Sequence, residues 1–192
     1  MTTDTFEQKK NSIWITSHSR MVGETRYRTY DTVSSFLLSW LSLSVLAWAV
    51  VHSPQPPSPF LDTYTALLST FVFAFSIITF GFRFGETAVL HRECYLRLER
   101  LIACEKDEEI LVCQYHEILA AYGNHSNKDF EALVLQRTLF TGREVRGGDN
   151  KTIEWTTAML VKYALRNGSF WLGVLVVFAM GVVPYYFILK RV

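Results

Sequence analysis

The chain has 192 residues, 49% of them hydrophobic, and a formal net charge of +1. Because 19 Lys and Arg nearly cancel 18 Asp and Glu, the overall charge gives no basis for a general affinity for nucleic acid. The hydrophobic residues are concentrated in three uncharged stretches of about 20 residues, the length that a helix needs to cross a bilayer. We therefore predict an all-α membrane protein rather than a soluble domain.

The N-terminal segment, residues 1–31, is polar and carries Arg20, Arg26 and Arg28. The first apolar stretch, 32–51, comes after this polar segment and has no small-residue cleavage site behind it, so we interpret it as a retained span and not as a signal peptide. Arginine accumulates on the cytoplasmic side of bacterial membrane proteins. The segment 1–31 is therefore expected to be cytoplasmic.

The connection between the first two spans, residues 52–62, contains four prolines and no Lys or Arg. Each proline fixes its own φ angle and restrains the residue before it, which makes such a loop stiff. We predict that residues 32–82 form a tight transmembrane hairpin, with the second span at 63–82 and the loop 52–62 on the outer side.

Small hydroxyl side chains recur at helical spacing along both predicted spans. Such stripes allow helices to approach closely and to bond across an interface. They are equally compatible with a weakly polar pore wall formed by several copies of the chain. Both interpretations, helix packing and pore lining, remain open for these residues: Ser35, Ser39, Ser42, Thr65, Ser69, Ser76 and Thr79.

The segment 83–168 is predicted to be a cytoplasmic helical region. Residues 83–101 are expected to continue the second span as a helix, because apolar side chains repeat at spacings of four and three. The repeats are Leu90, Cys94, Leu98 and Leu101, followed by Leu111, Tyr115, Ile118 and Tyr122. The charged residues 105–109 between them indicate either an exposed helical turn or a break.

A turn between two helices is predicted at residues 122–129. Gly123 suits a helix C-terminus, and Ser126 with Asp129 three residues later is similar to a capping box. The next helix is expected to end at about Phe140, before Gly142. A polar loop, 143–151, and an amphipathic helix, 152–166, should follow, with Asn167 and Gly168 breaking that helix from the third apolar stretch.

The third apolar stretch, residues 169–189, is predicted to be a third transmembrane helix. Its crossing would place Lys190 and Arg191 on the outer side, against the positive-inside rule. Two alternatives are that this segment packs against the other helices or that it re-enters the membrane. We predict that this segment is a helix separate from the hairpin.

Two groups of residues are candidate sites. The turn residues Asn124, His125, Ser126 and Asp129 are either structural or in contact with a ligand, and His125 with Asp129 would be the acid–base pair of a membrane-bound enzyme. Arg143, Arg146 and Lys151 are candidates for contact with a phosphate or a lipid headgroup. Cys113, His116 and His125 lack a fourth ligand, so no metal site is predicted. Because no nucleophile elbow, P-loop or dinucleotide fingerprint occurs in the sequence, we predict no cofactor and expect the chain not to be an enzyme.

The order of features resembles the SLATT family of bacterial conflict systems, in the subset with a C-terminal transmembrane helix. The resemblance rests on the basic and aromatic approach 26–30, two close spans, the helical extension 91–101, Tyr115, and the Asn124-His125 turn with Asp129. It covers residues from about 26 to 189.

The resemblance implies an effector of anti-phage defence in the bacterial inner membrane, a homo-oligomer that permeabilises or disrupts the bilayer and causes cell death or arrest. The implied trigger is a separate sensor protein, such as a nucleotide second-messenger synthase or a reverse transcriptase, with a nucleotide as a possible ligand. The alternative is a non-conducting membrane scaffold that recruits a cytoplasmic partner through residues 86–166.

Overall fold

The computed structural model describes residues 3–52, 59–105, 107–122, 126–147 and 151–189. Within these ranges it contains six α-helices, one π-helical turn and one pair of short strands. In chain order they are α1 Thr3–His52, α2 Pro59–Phe82, α3 Phe84–Cys104, α4 Glu108–Ala121, α5 Asn127–Leu135, the π-turn Gln136–Phe140, β1 Val145–Arg146, β2 Thr152–Ile153 and α6 Thr157–Leu189.

The predicted all-α membrane fold is confirmed. Three helices among the described residues are long and apolar enough to cross a membrane, and each overlaps one of the three predicted stretches. The proline-rich part of the hairpin loop, 53–58, lies outside the described residues, as do Gly123, Asn124, His125, Gly148, Lys190 and Arg191.

Helix α1 is longer than the first apolar stretch suggested. It has 50 residues and continues without interruption from Thr3 to His52. The N-terminal segment, for which the sequence analysis predicted no secondary structure, is therefore helical over its described part. This helix shows no apolar repeat in the sequence, because its buried face combines Ile13 with the polar residues Thr16, Ser17 and Arg20.

The predicted start of the last helix, at residue 152, and its predicted break, at Asn167 and Gly168, were both wrong. Residues 152–153 form β2, which pairs antiparallel with β1, Val145 opposite Ile153. Helix α6 begins at Thr157, and the hydroxyl of the preceding residue, Thr156, accepts a hydrogen bond from the Met159 amide at 3.3 Å. The helix continues through Asn167 and Gly168. Glycine inside a helix costs only about 1 kcal/mol relative to alanine, too little to stop a helix of this length.

The predicted continuation of the second span into α3 is interrupted at one residue. Arg83 has a φ of 45°, in the left-handed region, and separates the end of α2 at Phe82 from the start of α3 at Phe84. A non-glycine residue there carries backbone strain of about 1–2 kcal/mol. The chain is therefore helical on both sides of Arg83, but α2 and α3 are two helices and not one continuous helix.

The chain divides into two compact units. One unit, which we call the polar unit, consists of residues 1–28 and 85–166; the other, the apolar unit, consists of residues 29–84 and 167–192.

The polar unit has a small hydrophobic core centred on Ile13, Cys94, Leu98, Leu101 and Leu111. The predicted apolar face of α4 is confirmed, because its other members pack against this core; they are Tyr115, Ile118 and Tyr122. Leu90 was a wrong assignment, since it is 47% exposed and Ala88 is buried in its place.

The charged segment between α3 and α4 is a helix break, one of the two predicted alternatives. Asp107 is the N-cap of α4, and its carboxylate accepts hydrogen bonds from the amides of Glu109 at 2.9 Å and Ile110 at 3.3 Å. An aspartate at this position satisfies amides that would otherwise lack acceptors.

The apolar unit packs α6 against α1 and α2. The Trp40 indole stacks on the Phe178 ring and its Nε1 donates a hydrogen bond to the Phe178 carbonyl oxygen at 3.1 Å. The Tyr64 hydroxyl donates to the Met180 carbonyl oxygen at 2.7 Å. The third apolar helix is thus not separate from the hairpin, and its crossing of the membrane stays a prediction.

Large hydrophobic side chains cover much of the outer surface of the apolar unit. Exposed side chains include Phe36, Leu43, Leu46, Leu67, Phe73, Phe80, Leu172 and Leu175, each more than half accessible. An apolar surface of this extent is typical of contact with lipid or with other apolar helices. The location of this unit in a membrane follows from that surface and from the length of its helices.

Candidate functional site

A groove in the apolar unit collects polar side chains within the membrane-spanning region. It has a volume of about 530 Å³, and α1 and α2 each contribute half of its lining. The lining residues are Asp31, Ser34, Ser35, Leu38, Ser76, Ile77, Thr79 and Phe80.

The groove brings together only part of the predicted hydroxyl stripes. Ser35, Ser76 and Thr79 line it. The remaining stripe residues are not among the lining residues, and three of them are exposed: Ser39, Ser42 and Ser69, with Thr65 half-buried. Pore lining and helix packing both stay predictions for these residues.

Sequence reasoning missed Asp31 and Ser34 as groove residues. Asp31 precedes Ser35 by four positions and so continues the stripe by one helical turn. It was overlooked because the apolar stretch begins one residue later. A carboxylate at the end of a hydroxyl-lined groove gives the groove a negatively charged entrance.

The hydroxyls beside the groove are satisfied by their own helices. Ser76 donates to the Phe73 carbonyl oxygen at 2.8 Å, and Thr79 contacts the carbonyl oxygens of Phe75 and Ser76 at 3.0 Å. Ser34 donates to the Tyr30 carbonyl oxygen at 2.7 Å. These hydroxyls therefore need no partner helix, yet their oxygens can still accept hydrogen bonds from water.

A second collection of polar groups lies in the polar unit, where α1, α3 and α5 meet at Gly23. A Cβ atom on Gly23 would lie 3.1 Å from His91 Nδ1 and 3.2 Å from Asp129 Oδ2, closer than most real Cβ contacts. Glycine therefore allows these two side chains to approach α1 more closely than a residue with a Cβ atom would. We call this collection the arginine cluster; its members are Gly23, Arg26, His91, Asp129 and Arg166.

Asp129 is the acidic member of the arginine cluster and is 1% exposed. Its Oδ1 lies 3.1 Å from Arg26 Nη1, and its Oδ2 accepts a hydrogen bond from Arg26 Nη2 at 3.3 Å. Burial raises the pKa of the Asp129 carboxyl, an effect that nearby Arg26 and Arg166 oppose. The carboxylate thus needs its arginine partners to remain ionised in this environment.

The predicted cap at the start of α5 is confirmed. The Ser126 hydroxyl accepts a hydrogen bond from the Lys128 amide at 3.1 Å, and the Ser126 amide donates to the Asp129 carboxylate. The predicted end of the helical segment at Phe140 is also confirmed, with Gly142 in the left-handed conformation at φ 62°. Asp129 therefore has a structural role, while Asn124 and His125 lie outside the described residues.

The sequence analysis named Arg26 only as an approach residue and did not identify Arg20 as buried. Arg20 is 2% exposed and lies seven residues after Ile13, on the same face of α1. That spacing was the available signal. An arginine in a polar N-terminal segment is ordinarily exposed, so the sequence analysis used Arg20 only to assign the orientation of the chain by the positive-inside rule.

The three cationic loop residues do not line one common pocket among those found in the described residues. A pocket of about 480 Å³ includes Arg143, together with Glu144 and Glu154, but neither Arg146 nor Lys151 lines it. Arg146 pairs with Glu144 at 3.3 Å on the surface. Phosphate or lipid contact at this loop stays a prediction, and the acidic residues in the pocket weaken it.

No group of three or more potential metal ligands occurs among the described residues. The thiols are separate: Cys94 is buried, and Cys104 and Cys113 are exposed.

The model of the SMODS and SLOG-associating 2TM effector domain family 5 matches residues 2–187 of the chain. This match covers almost the whole sequence, and the chain therefore belongs to this family, as the resemblance to SLATT proteins predicted. The match includes the third apolar helix, although the family description names two transmembrane helices. No curated protein and no solved structure matches the chain.

Proposed function

We propose that this chain, a member of SMODS and SLOG-associating 2TM effector domain family 5, oligomerises in the bacterial inner membrane and permeabilises it. In this proposal it acts in an anti-phage defence system, when a separate sensor protein signals. Killing or arrest of the infected cell is the consequence.

The observation that carries the proposal is the hydroxyl-lined groove of the apolar unit. The Asp31 carboxylate at the end of the groove is unfavourable against lipid, and the serine and threonine oxygens, whose protons are already donated within their own helices, keep a capacity to accept hydrogen bonds that hydrocarbon cannot use. If several copies turn their grooves toward a common axis, the same groups face water and the hydrophobic side chains face lipid. The proposed pore wall therefore consists of Ser35, Ser76 and Thr79, with Asp31 at its entrance.

The proposed orientation follows from the distribution of arginine and lysine. The N-terminal segment and residues 83–168 face the cytoplasm, where a sensor protein is accessible. Asp31 then lies at the cytoplasmic end of the groove.

Dye leakage from liposomes reconstituted with the full chain tests the proposal. We expect wild-type protein to release the dye and the double variant Ser35→Leu/Ser76→Leu to lose most of that activity, because leucine fills the groove with apolar atoms. The matched control, Ser39→Leu/Ser69→Leu, makes the same chemical change at two stripe positions that do not line the groove. If the groove residues alone form the pore wall, this control should leak like wild type.

Equal leakage by both double variants would remove the groove from the mechanism. Correctly inserted wild-type protein that releases no dye, including after addition of lysate from phage-infected cells, would instead favour the non-conducting scaffold.

A further inference from the structure

The polar wall of the groove between α1 and α2 consists mainly of hydrogen-bond acceptors. Four hydroxyl side chains line the groove, and three of them, Ser34, Ser76 and Thr79, donate their protons to carbonyl oxygens of their own helices. A hydroxyl oxygen keeps two lone pairs after its proton is donated, so it can accept from water or contact a cation but has no proton left for an anion. Ser35 carries the remaining hydroxyl proton.

Asp31 adds a full negative charge at the end of this groove. Its side chain is exposed, and among the described residues no cation pairs with its carboxylate. Arg28, earlier on the same helix, pairs with Glu24 at 2.6 Å. A carboxylate without a counter-ion attracts cations and repels anions, and the acceptor oxygens beside it act in the same direction.

Arg83 is the cation nearest in sequence to the α2 side of the groove. It follows Thr79 by four residues, a spacing that on a regular helix would place both side chains on one face. The φ of 45° at Arg83 rotates its side chain away from that face, and Arg83 is not among the lining residues. Asp31 is therefore the one charged residue that lines the groove.

We propose that the pore formed by these grooves is selective for small inorganic cations over anions, and that Asp31 determines this preference. This inference rests on the proposed function, because it assigns a class of ion to the pore. Assembly of several copies around a common axis brings one Asp31 per copy to the same end of the pore, and rings of carboxylates are a general means of selecting cations.

The size of the preference can be estimated from one carboxylate. At about 4 Å in the dielectric of water, a single unit charge enriches a cation about fivefold. The permeability ratio of K⁺ to Cl⁻ should therefore be about five or more, since a ring adds further charges. The ratio should fall as salt is raised, because the Debye length decreases from about 10 Å at 0.1 M to about 3 Å at 1 M.

Planar bilayers that contain the full chain, with unequal KCl concentrations on the two sides, test the proposal through the reversal potential. Wild type should prefer K⁺. Asp31→Asn should pass K⁺ and Cl⁻ about equally, because it removes the charge and keeps the shape. Asp31→Glu keeps the charge and should keep the preference.

Asp62→Asn is the matched control, since Asp62 is the other acidic residue of the apolar unit and does not line the groove. It should show the wild-type ratio. The Asp31 carboxylate has no partner among the described residues, so its removal should not impair insertion. If Asp31→Asn nevertheless fails to insert, Asp31→Ser, which extends the hydroxyl stripe by one turn, replaces it with the same expected result.

The outcomes separate this inference from pore formation itself. Wild-type conductance without a preference, or with a preference for Cl⁻, overturns the selectivity and leaves the pore intact. A preference that survives the loss of the Asp31 charge, or that is lost equally in Asp62→Asn, overturns the assignment to Asp31. No conductance by correctly inserted wild type, with lysate from phage-infected cells present, refutes the pore and the selectivity together.

Discussion

Gly181 lies where α6 packs closely on α1 in the apolar unit, and Gly181→Ala tests this packing. A Cβ atom there would overlap Trp40 Nε1 and lie 3.0 Å from Ser44 Oγ. Both neighbours are on α1, and Ser44 is fully buried. The indole must move, and its hydrogen bond to the Phe178 carbonyl oxygen is lost or weakened.

The expected destabilisation has two parts. Inserting a methyl group into a packed interface costs about 1–3 kcal/mol. The loss of an interhelical hydrogen bond in a bilayer adds about 0.6–1.7 kcal/mol. Their sum is about 2–5 kcal/mol, before the gain in helix propensity that alanine brings.

Gly173→Ala is the matched control on the same helix, since a Cβ atom at Gly173 meets no atom within 4 Å. The propensity gain is common to both variants and cancels in their difference. SDS titration of the full chain in dodecyl maltoside, followed by tryptophan fluorescence, measures the two free energies of unfolding. If they differ by less than about 0.5 kcal/mol, the scatter of neutral substitutions, α6 does not pack on Trp40 as described.

Two further predictions concern single polar contacts. Tyr64→Phe should lower the free energy of unfolding by about 0.6–1.7 kcal/mol in the same SDS titration. Pro184 has no amide hydrogen, so the Met180 carbonyl oxygen lacks its usual helical donor and accepts from the Tyr64 hydroxyl instead. An unchanged free energy would mean that another donor bonds to the Met180 carbonyl oxygen. Burial raises the pKa of Asp129 above that of an unfolded aspartate, so its contribution to stability is full below the unfolded pKa and is lost as pH rises through the folded pKa. The thermal midpoint of wild type relative to that of Asp129→Asn should therefore rise as the pH is lowered from neutrality towards the pKa of an unfolded aspartate, and a constant difference would show that burial does not raise the pKa of Asp129.

Features that depend on neighbouring residues could be predicted from the sequence. The apolar stretches are recognisable from length alone, and the Ser126 cap with Asp129 follows from the chemistry of a helix start. The apolar face of α4 repeats at helical spacing and was found for the same reason.

Features that depend on distant residues could not be predicted. The partners at Gly23, His91 and Asp129, come from α3 and α5, and no local pattern joins them to α1. The break expected at Asn167 and Gly168 failed for a related reason, because residues with weak helix propensity remain helical when the segments on both sides are strongly helical.

The third helix is a structural part of the apolar unit, although the family description names two transmembrane helices. The Trp40 indole and the Tyr64 hydroxyl, one from each helix of the hairpin, donate to carbonyl oxygens of α6. Without α6, both donors would face hydrocarbon, which offers no acceptor, and the surface that accommodates Gly181 would be open. Because Pro184 leaves the Met180 carbonyl oxygen available, α6 in turn supplies an acceptor that a regular helix would already use. The donors and acceptors on the two sides are complementary, and the smallest unit that satisfies them contains all three helices.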